Sequence, residues 1–335
     1  SEGMRSKLKK VRFDITELND VISQYSTKRV FVLYLVFNVI MNLLFTLRFT
    51  IPGLFQAIAI LSYFKWSLFI IMMILVIQKR EMTLTFIILV GFEFLSSLVS
   101  FFASFRGIIL YLIIGSLTLN KVSKRQLFTY GSAAILIYMF AIIWTDIKMD
   151  YRAFVNKGTS SQAVLVPRSE ARSYLFNAIN SYNFSNYKEV QEELINRISY
   201  IDFFSATQSY VPEKLPYESG KILKQSISHI IMPRLLFPGK PIVEDSKHLS
   251  KYTGVYFPSY AEGVSFSLGY AGDFYIDFGP VWMFMGIFLF GFLLGSIFLA
   301  IHNSSINILW SIGALSAAFD LLYKFENSQI KFLGN

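Results

Sequence analysis

The 335-residue chain contains no cysteine, which excludes disulfides, thiolate metal sites and cysteine nucleophiles. Histidine is nearly absent too. His229, His248 and His302 are too few and too scattered for a histidine-rich metal cage. No HExxH pattern, P-loop or GxGxxG fingerprint appears. Charge is thin: only 16% of residues are Asp, Glu, Lys or Arg, where a soluble domain carries about 25%. Apolar surface takes its place, with 54% hydrophobic residues, 17% aromatic residues and a mean hydropathy of +0.48. These proportions exclude an ordinary cytosolic enzyme, a disordered chain and a nucleic-acid-binding domain, despite a net charge of +9. The chain reads as an all-α polytopic membrane protein.

Charge is unevenly placed. Residues 145–279 have no uninterrupted apolar run of spanning length, yet they hold 14 basic and 14 acidic side chains and seven of the nine prolines. The other 200 residues carry 17 basic and 8 acidic side chains, so the whole excess lies there. Much of it sits in short segments between apolar runs, where the positive-inside rule applies. The excess therefore reports orientation.

Apolar runs near 30–47, 54–77, 82–104, 107–119, 127–144, 280–301 and 305–322 are read as about seven spans. A basic segment, 1–29, precedes the first. Placing it in the cytoplasm also puts Lys79-Arg80, the Lys121/Lys124/Arg125 loop and the His302–Ser305 turn there. The domain order is then a basic cytoplasmic segment (1–29), five membrane helices (30–144), a large extracytoplasmic loop (145–279), two membrane helices (280–322) and a tail (323–335). Two buried charges stand out. Lys65 interrupts the second run and marks either a helix break or a functional lysine. Glu93 in the third is either a basic group's partner or a proton-handling carboxylate. The spans show no inverted repeat of the kind transporters use.

The loop reads as folded. Helices are expected at 169–181 after Pro167, at 186–204 with Val190, Leu194, Ile198 and Ile201 in one stripe, and at 218–232 up to Pro233. They are expected to lie along the membrane surface or to cover a cavity between spans. Two turn-rich runs follow, IMPRLLFPGKP (231–241) and EGVSFSLGYAGDFYIDFGP (262–280).

Those two runs carry a resemblance. The first supplies Pro233, Arg234, Phe237, Pro238, Lys240 and Pro241. The second supplies Ser265 to Gly269, Asp273, Tyr275, Asp277, Phe278 and Gly279, and leads into a spanning helix. Together they resemble the Wzy-type polymerases of O-antigen and exopolysaccharide repeat units. Arg197-Ile198-Ser199, Pro212, Pro216-Tyr217, Gly220 and Ser104-Phe105-Arg106-Gly107 look like the same family, over roughly residues 90–300. Many members carry glutamate where this chain has Asp273. Such polymerases usually have ten or more spans, so this chain is expected to be part of a larger bundle.

The resemblance implies a GT-C-like fold in the bacterial inner membrane, with its site facing the periplasm or cell exterior. It implies two undecaprenyl-diphosphate-linked glycans as substrates and no nucleotide sugar. Membrane lipids, a chain-length regulator and a flippase are the implied partners. A hydroxyl of one glycan attacks the anomeric carbon of the other and expels lipid diphosphate. That chemistry needs cations for the leaving group and a base for the acceptor proton. Arginines supply paired N–H donors matched to phosphate oxygens, and no carboxylate cluster has metal spacing, so a cofactor-free, metal-independent site is expected.

Arg234, Arg197 and Arg106 are the catalytic cations of this reading, with Arg152 and Lys240 as substrate ligands. Each has a plainer role open to it. Arg234 anchors its loop to headgroups, Arg197 pairs with Glu193, Arg106 snorkels, Arg152 sits at the interface and Lys240 solvates a turn. Asp273 and Asp277 are the candidate bases, with Glu262 behind them, and Asp277 is also a candidate substrate ligand. Asp277 alternatively caps the helix begun by Pro280. Tyr217 and Tyr275 stack on sugar rings or anchor at the interface. His229 and His248 read as exposed-loop histidines, one of which can instead serve as the base; an outer-loop histidine also keeps open an alternative, ligase-like transfer to another acceptor. A non-catalytic component that binds or carries lipid-linked glycan is the third reading.

Overall fold

The computed structural model describes residues 15–47, 54–99, 105–117, 124–159, 164–199, 201–232, 236–237, 239–240, 243–258, 265–319 and 326–334. Across them the fold is all-helical. A membrane-type bundle comes first: α1 (Ile15–Gln24), α2 (Thr27–Leu47), α3 (Leu54–Lys79), α4 (Thr83–Leu98), α5 (Phe105–Leu117) and α6 (Lys124–Val155). Shorter helices follow as α7 (Arg168–Asn180), α8 (Tyr187–Ser199), α9 (Ile201–Tyr210), α10 (Lys221–Ile231) and α11 (Asp245–Thr253). The chain ends in α12 (Tyr270–Ser304), α13 (Ile308–Ala318) and α14 (Gln329–Gly334).

Helix α3 is the axis of the bundle. Every residue from Leu68 to Val76 is buried, as a helix apolar on all sides must be when neighbours surround it. Helices α2, α5 and α13 pack on it. The approach of α13 is close: a Cβ on Gly313 would lie 2.9 Å from the Ser67 carbonyl oxygen and 2.8 Å from Ile71 Cγ1. Small residues at such crossings let backbones meet in an apolar solvent. The outward faces stay apolar, with Leu43, Ile88, Phe92 and Trp282 all exposed.

Three segments, Thr27–Phe45, Ile60–Lys79 and Tyr270–Ser304, are long and apolar enough to cross a membrane. Thr83–Leu98, Gly107–Ser116 and Ile308–Ala318 are apolar but shorter. The expected run 127–144 lies inside α6, which continues as one helix to Val155. Lys65 does not break its helix, contrary to one of its two sequence readings, because its charge is met locally. Its Nζ lies 2.6 Å from Glu93 Oε2 and over the Trp66 ring, and Tyr34 donates its hydroxyl to Glu93 Oε1 at 2.6 Å.

One end of the bundle is tied together through Tyr25. Its carbonyl accepts from Lys79 Nζ, and its hydroxyl accepts from Asn307 Nδ2 and Trp310 Nε1, both at 2.9 Å. Thr27 donates to Glu81 beside it. The start of α2, the α3–α4 turn and the α12–α13 turn therefore share one face.

Away from that face, residues of the 145–279 region build two small cores. Helix α7 packs Ala171 and Leu175 against Tyr151 and Val155 of α6. The second core joins α9, α10, α11, the start of α12 and α14. Of the helix expected at 186–204, α8 holds Val190 inward, while Ile201, in α9, is exposed.

Candidate functional site

The second core is built around the first turns of α12. The glycine-punctuated run read as a lead-in to a helix at Pro280 is itself helical from Tyr270, and the two helical pieces join at Gly279. Gly279 has φ 75° and ψ −177°, a region reserved for glycine. Pro280 then opens the second piece, as proline does at a first helical position. The kink folds residues 270–278 back against the apolar half of α12, where a Cβ on Gly286 would run into the Phe274 ring and the Tyr270 ring lies 5.5 Å from that of Phe290. Both aspartates are buried, each 1% exposed.

Asp273 meets a histidine. His248, on α11, places Nε2 2.8 Å from Asp273 Oδ1. The second carboxylate oxygen, Oδ2, accepts the backbone N–H of Gln329 at 2.8 Å. The carboxylate is enclosed, whereas the His248 side chain keeps 27% exposure. Burial opposes charge on the ring, but the hydrogen bond and charge of Asp273, with Asp245 nearby, outweigh it and raise the His248 pKa above 6.5. Donation from Nε2 to Asp273 fixes the tautomer and leaves Nδ1 as the proton acceptor.

Asp277 has a different task. Its Oδ1 accepts the N–H of Ile222 at 3.0 Å and its Oδ2 that of Leu223 at 2.8 Å. It caps α10, not the helix begun by Pro280 as the sequence suggested. These are the orphan donors of the first turn of α10, whose own N-cap is Gly220. A third carboxylate, Glu218, sits beside it. Glu218 accepts from Tyr252 at 2.6 Å and Lys251 at 2.9 Å, and these bonds lower its pKa to about 2.

The other expected site residues distribute unevenly. Tyr275 is buried, donates to the Val211 carbonyl at 2.8 Å and packs edge-on against Tyr217. Its ring is thus a core element of the loop. Tyr217 lies half-buried against Gly279, where a Cβ would come within 3.1 Å of its ring. Lys240 is buried with its ammonium on the His229 carbonyl near the end of α10, so it serves that helix terminus. Arg152 is half-buried in the last turn of α6, a favourable place for a cation. Glu193 is held by the buried Lys148 at 3.0 Å. Arg106 is the second residue of α5 and Arg197 lies near the end of α8, but both side chains lie outside the described residues. So do Glu262 and the whole of Arg234, with Pro233, Pro238 and Pro241.

A family model described as a domain of unknown function, DUF8712, matches residues 14–305. The chain belongs to the DUF8712 family. No curated protein and no solved structure matches it. The DUF8712 match contains His248, Asp273 and Asp277 and ends before α13 and α14.

His248 reads from sequence as a loop histidine, yet it sits on a helix. The signal for that helix is present: Leu249, Tyr252 and Thr253 follow Asp245 at helical spacing, and all four are buried. Nothing in the local pattern marks the contribution of Gln329. Its side-chain amide is also fully buried, with neither oxygen nor nitrogen partnered among the described residues.

Proposed function

We propose that this chain is a membrane glycosyltransferase acting on lipid-diphosphate-linked oligosaccharides. In this reading it joins repeat units as Wzy-type polymerases do, within a GT-C-like bundle of about seven spans. The site faces the periplasm or cell exterior from the bacterial inner membrane. The observation that carries the proposal is the partly exposed His248 held by a buried Asp273, in a core packed against the apolar half of α12. A base is required there, because the acceptor hydroxyl must lose its proton as its oxygen attacks the anomeric carbon. The anomeric C–O bond to diphosphate breaks in the same displacement, and lipid diphosphate leaves with the bonding pair.

The roles sort by accessibility. His248 takes the acceptor proton at Nδ1, and Asp273 orients the ring and stabilises the imidazolium that forms. Positioned acid–base catalysis of this kind contributes roughly 10²- to 10⁴-fold. Arg234, Arg197 and Arg106 are assigned to the departing diphosphate by their resemblance to the polymerase motifs, with bidentate N–H pairs as the physical rationale. Tyr217, whose ring is only half-buried, remains a sugar-stacking candidate.

The same histidine favours a second reading, transfer of finished glycan to a different acceptor, because a histidine base is what the resemblance implies for the ligases. Deletion of the gene in its host, with wild-type, Arg234→Ala and His248→Ala copies returned in parallel, separates the two. Single repeat units persisting without long chains, rescued by wild type alone, is the outcome expected of a polymerase. Long glycan stranded on its lipid diphosphate would make the protein a ligase. An unchanged glycan profile would remove both.

A further inference from the structure

Residues 326–334, within the tail expected at 323–335, pack into the second core. Ser328 donates to Asp245 Oδ1 at 2.9 Å, and Gln329 N–H donates to Asp273 Oδ2 at 2.8 Å. Lys331 Nζ lies 2.8 Å from Asp245 Oδ2 and donates to Ser265 at 3.1 Å. Phe332 is buried between Tyr270 and Phe290, with ring centroids 5.4 and 4.9 Å away. We infer that Ser328, Gln329 and Lys331 are positioning residues for the His248–Asp273 pair, the carboxy-terminal segment being the wall that holds both buried carboxylates in place.

The physical need is plain. Asp245 and Asp273 are 3% and 1% exposed, and a carboxylate so enclosed is retained as an anion only while donors meet its oxygens. Asp245 takes a hydroxyl donor and a cation from this segment, and Asp273 takes a backbone N–H. Removing the segment opens the site to water and frees both carboxylates to rotate outward. His248 then loses the partner that sets its tautomer. The catalytic consequence rests on the proposed function; the structural dependence does not.

The test uses the full chain in lipid nanodiscs and diethyl pyrocarbonate, which modifies neutral imidazole, with peptide mass spectrometry as readout. His229 and His302 are internal standards. In the wild type, His248 should label slowly, with a pH midpoint above 6.5. A chain ending at Asn327 should label several-fold faster, with its midpoint falling to the ordinary value. Gln329→Pro removes only the backbone donor and the side chain at the first position of α14, where proline is tolerated, and should behave in the same direction. Gln329→Ala keeps the N–H and should match wild type. A rise at all three histidines in the shortened chain would mark unfolding, and the point variants then decide between the outcomes. Wild-type rate and midpoint at His248 in both Gln329→Pro and the Ser328→Ala/Lys331→Met double variant would overturn the inference.

Discussion

His248 Nε2 and Asp273 Oδ1 are 2.8 Å apart, although one belongs to a short helix of the loop and the other to the helical piece of α12 that precedes the kink at Gly279. Only the imidazole is reachable from outside; the carboxylate is sealed beneath it. Because the raised pKa depends on that carboxylate, Asp273→Asn should let burial dominate and carry the His248 pKa below 6.5. Histidine NMR across pH 5–9 reads this directly. Under the proposed function, transfer activity should fall by about 10²-fold or more, within the range of positioned acid–base catalysis. A His248 titration unchanged by the substitution would refute the pairing.

Glu218 gives the loop an acid-sensitive joint. Its pKa in the folded protein, about 2, lies below the ordinary 4.5, because Tyr252 and Lys251 hydrogen-bond to the ionised form. A depressed pKa contributes stability that is present above the unfolded value and is lost as pH falls. The loss should therefore run from about pH 4.5 down to about 2. Glu218→Gln should lower the unfolding midpoint at pH 6 and flatten its dependence across that window, as followed by tryptophan fluorescence or calorimetry.

Lys65 and Glu93 form an enclosed ion pair with Tyr34 as a third member. Removing one charge strands the other, which typically costs about 3–5 kcal/mol, whereas replacing both by apolar side chains is often neutral. Glu93→Leu should depress thermal stability in detergent strongly. The Lys65→Met/Glu93→Leu double variant should recover most of the loss. A functional lysine would instead leave the double variant stable but inactive.

Gly313 is where α13 touches the axis of the bundle. A methyl group there would meet the Ser67 carbonyl oxygen at 2.9 Å, and backbone yields less easily than a side chain. Gly313→Ala should destabilise by about 1–3 kcal/mol, the usual range for overpacking. Gly131, whose Cβ would meet no atom within 4 Å, is the control and should tolerate alanine without a penalty of that size.

Helix α10 turns Ile222 and Ser226 inward and leaves Ile227, Ile230 and Ile231 exposed, with Lys221 and Lys224 beside them. Its first turn is held by Asp277, two residues before the kink that starts the apolar half of α12. An apolar stripe with flanking lysines at that level suits the headgroup–acyl boundary. The cysteine-free chain makes the check simple. A bimane probe at Ile227→Cys or Ile231→Cys should be blue-shifted and quenched by doxyl lipid in nanodiscs, while one at Gln225→Cys should answer to an aqueous quencher. Equal aqueous quenching at all three sites would place α10 in water.

Much of this molecule was legible from residue order alone, and the reason is local. Apolar runs of spanning length, the absence of cysteine and the basic turns are properties of consecutive residues, so the all-helical, membrane-type architecture and the folded loop after residue 145 follow from them. Pro280 marked the second half of α12 for the same reason. The site was different. His248 and Asp273 are 25 residues apart, Asp277 and Ile222 are 55, and Asp273 and Gln329 are 56. No periodicity of 3.6 links such positions. Burial beside Gly279 placed one of the two candidate aspartates against His248 and made the other a helix cap, and Asp245 took its partners from the C-terminal segment. The sequence by itself determined which segments are helical and apolar. Which carboxylates are hidden, and which histidine they hold, was decided only when the kink at Gly279 and the returning C-terminal segment closed the second core.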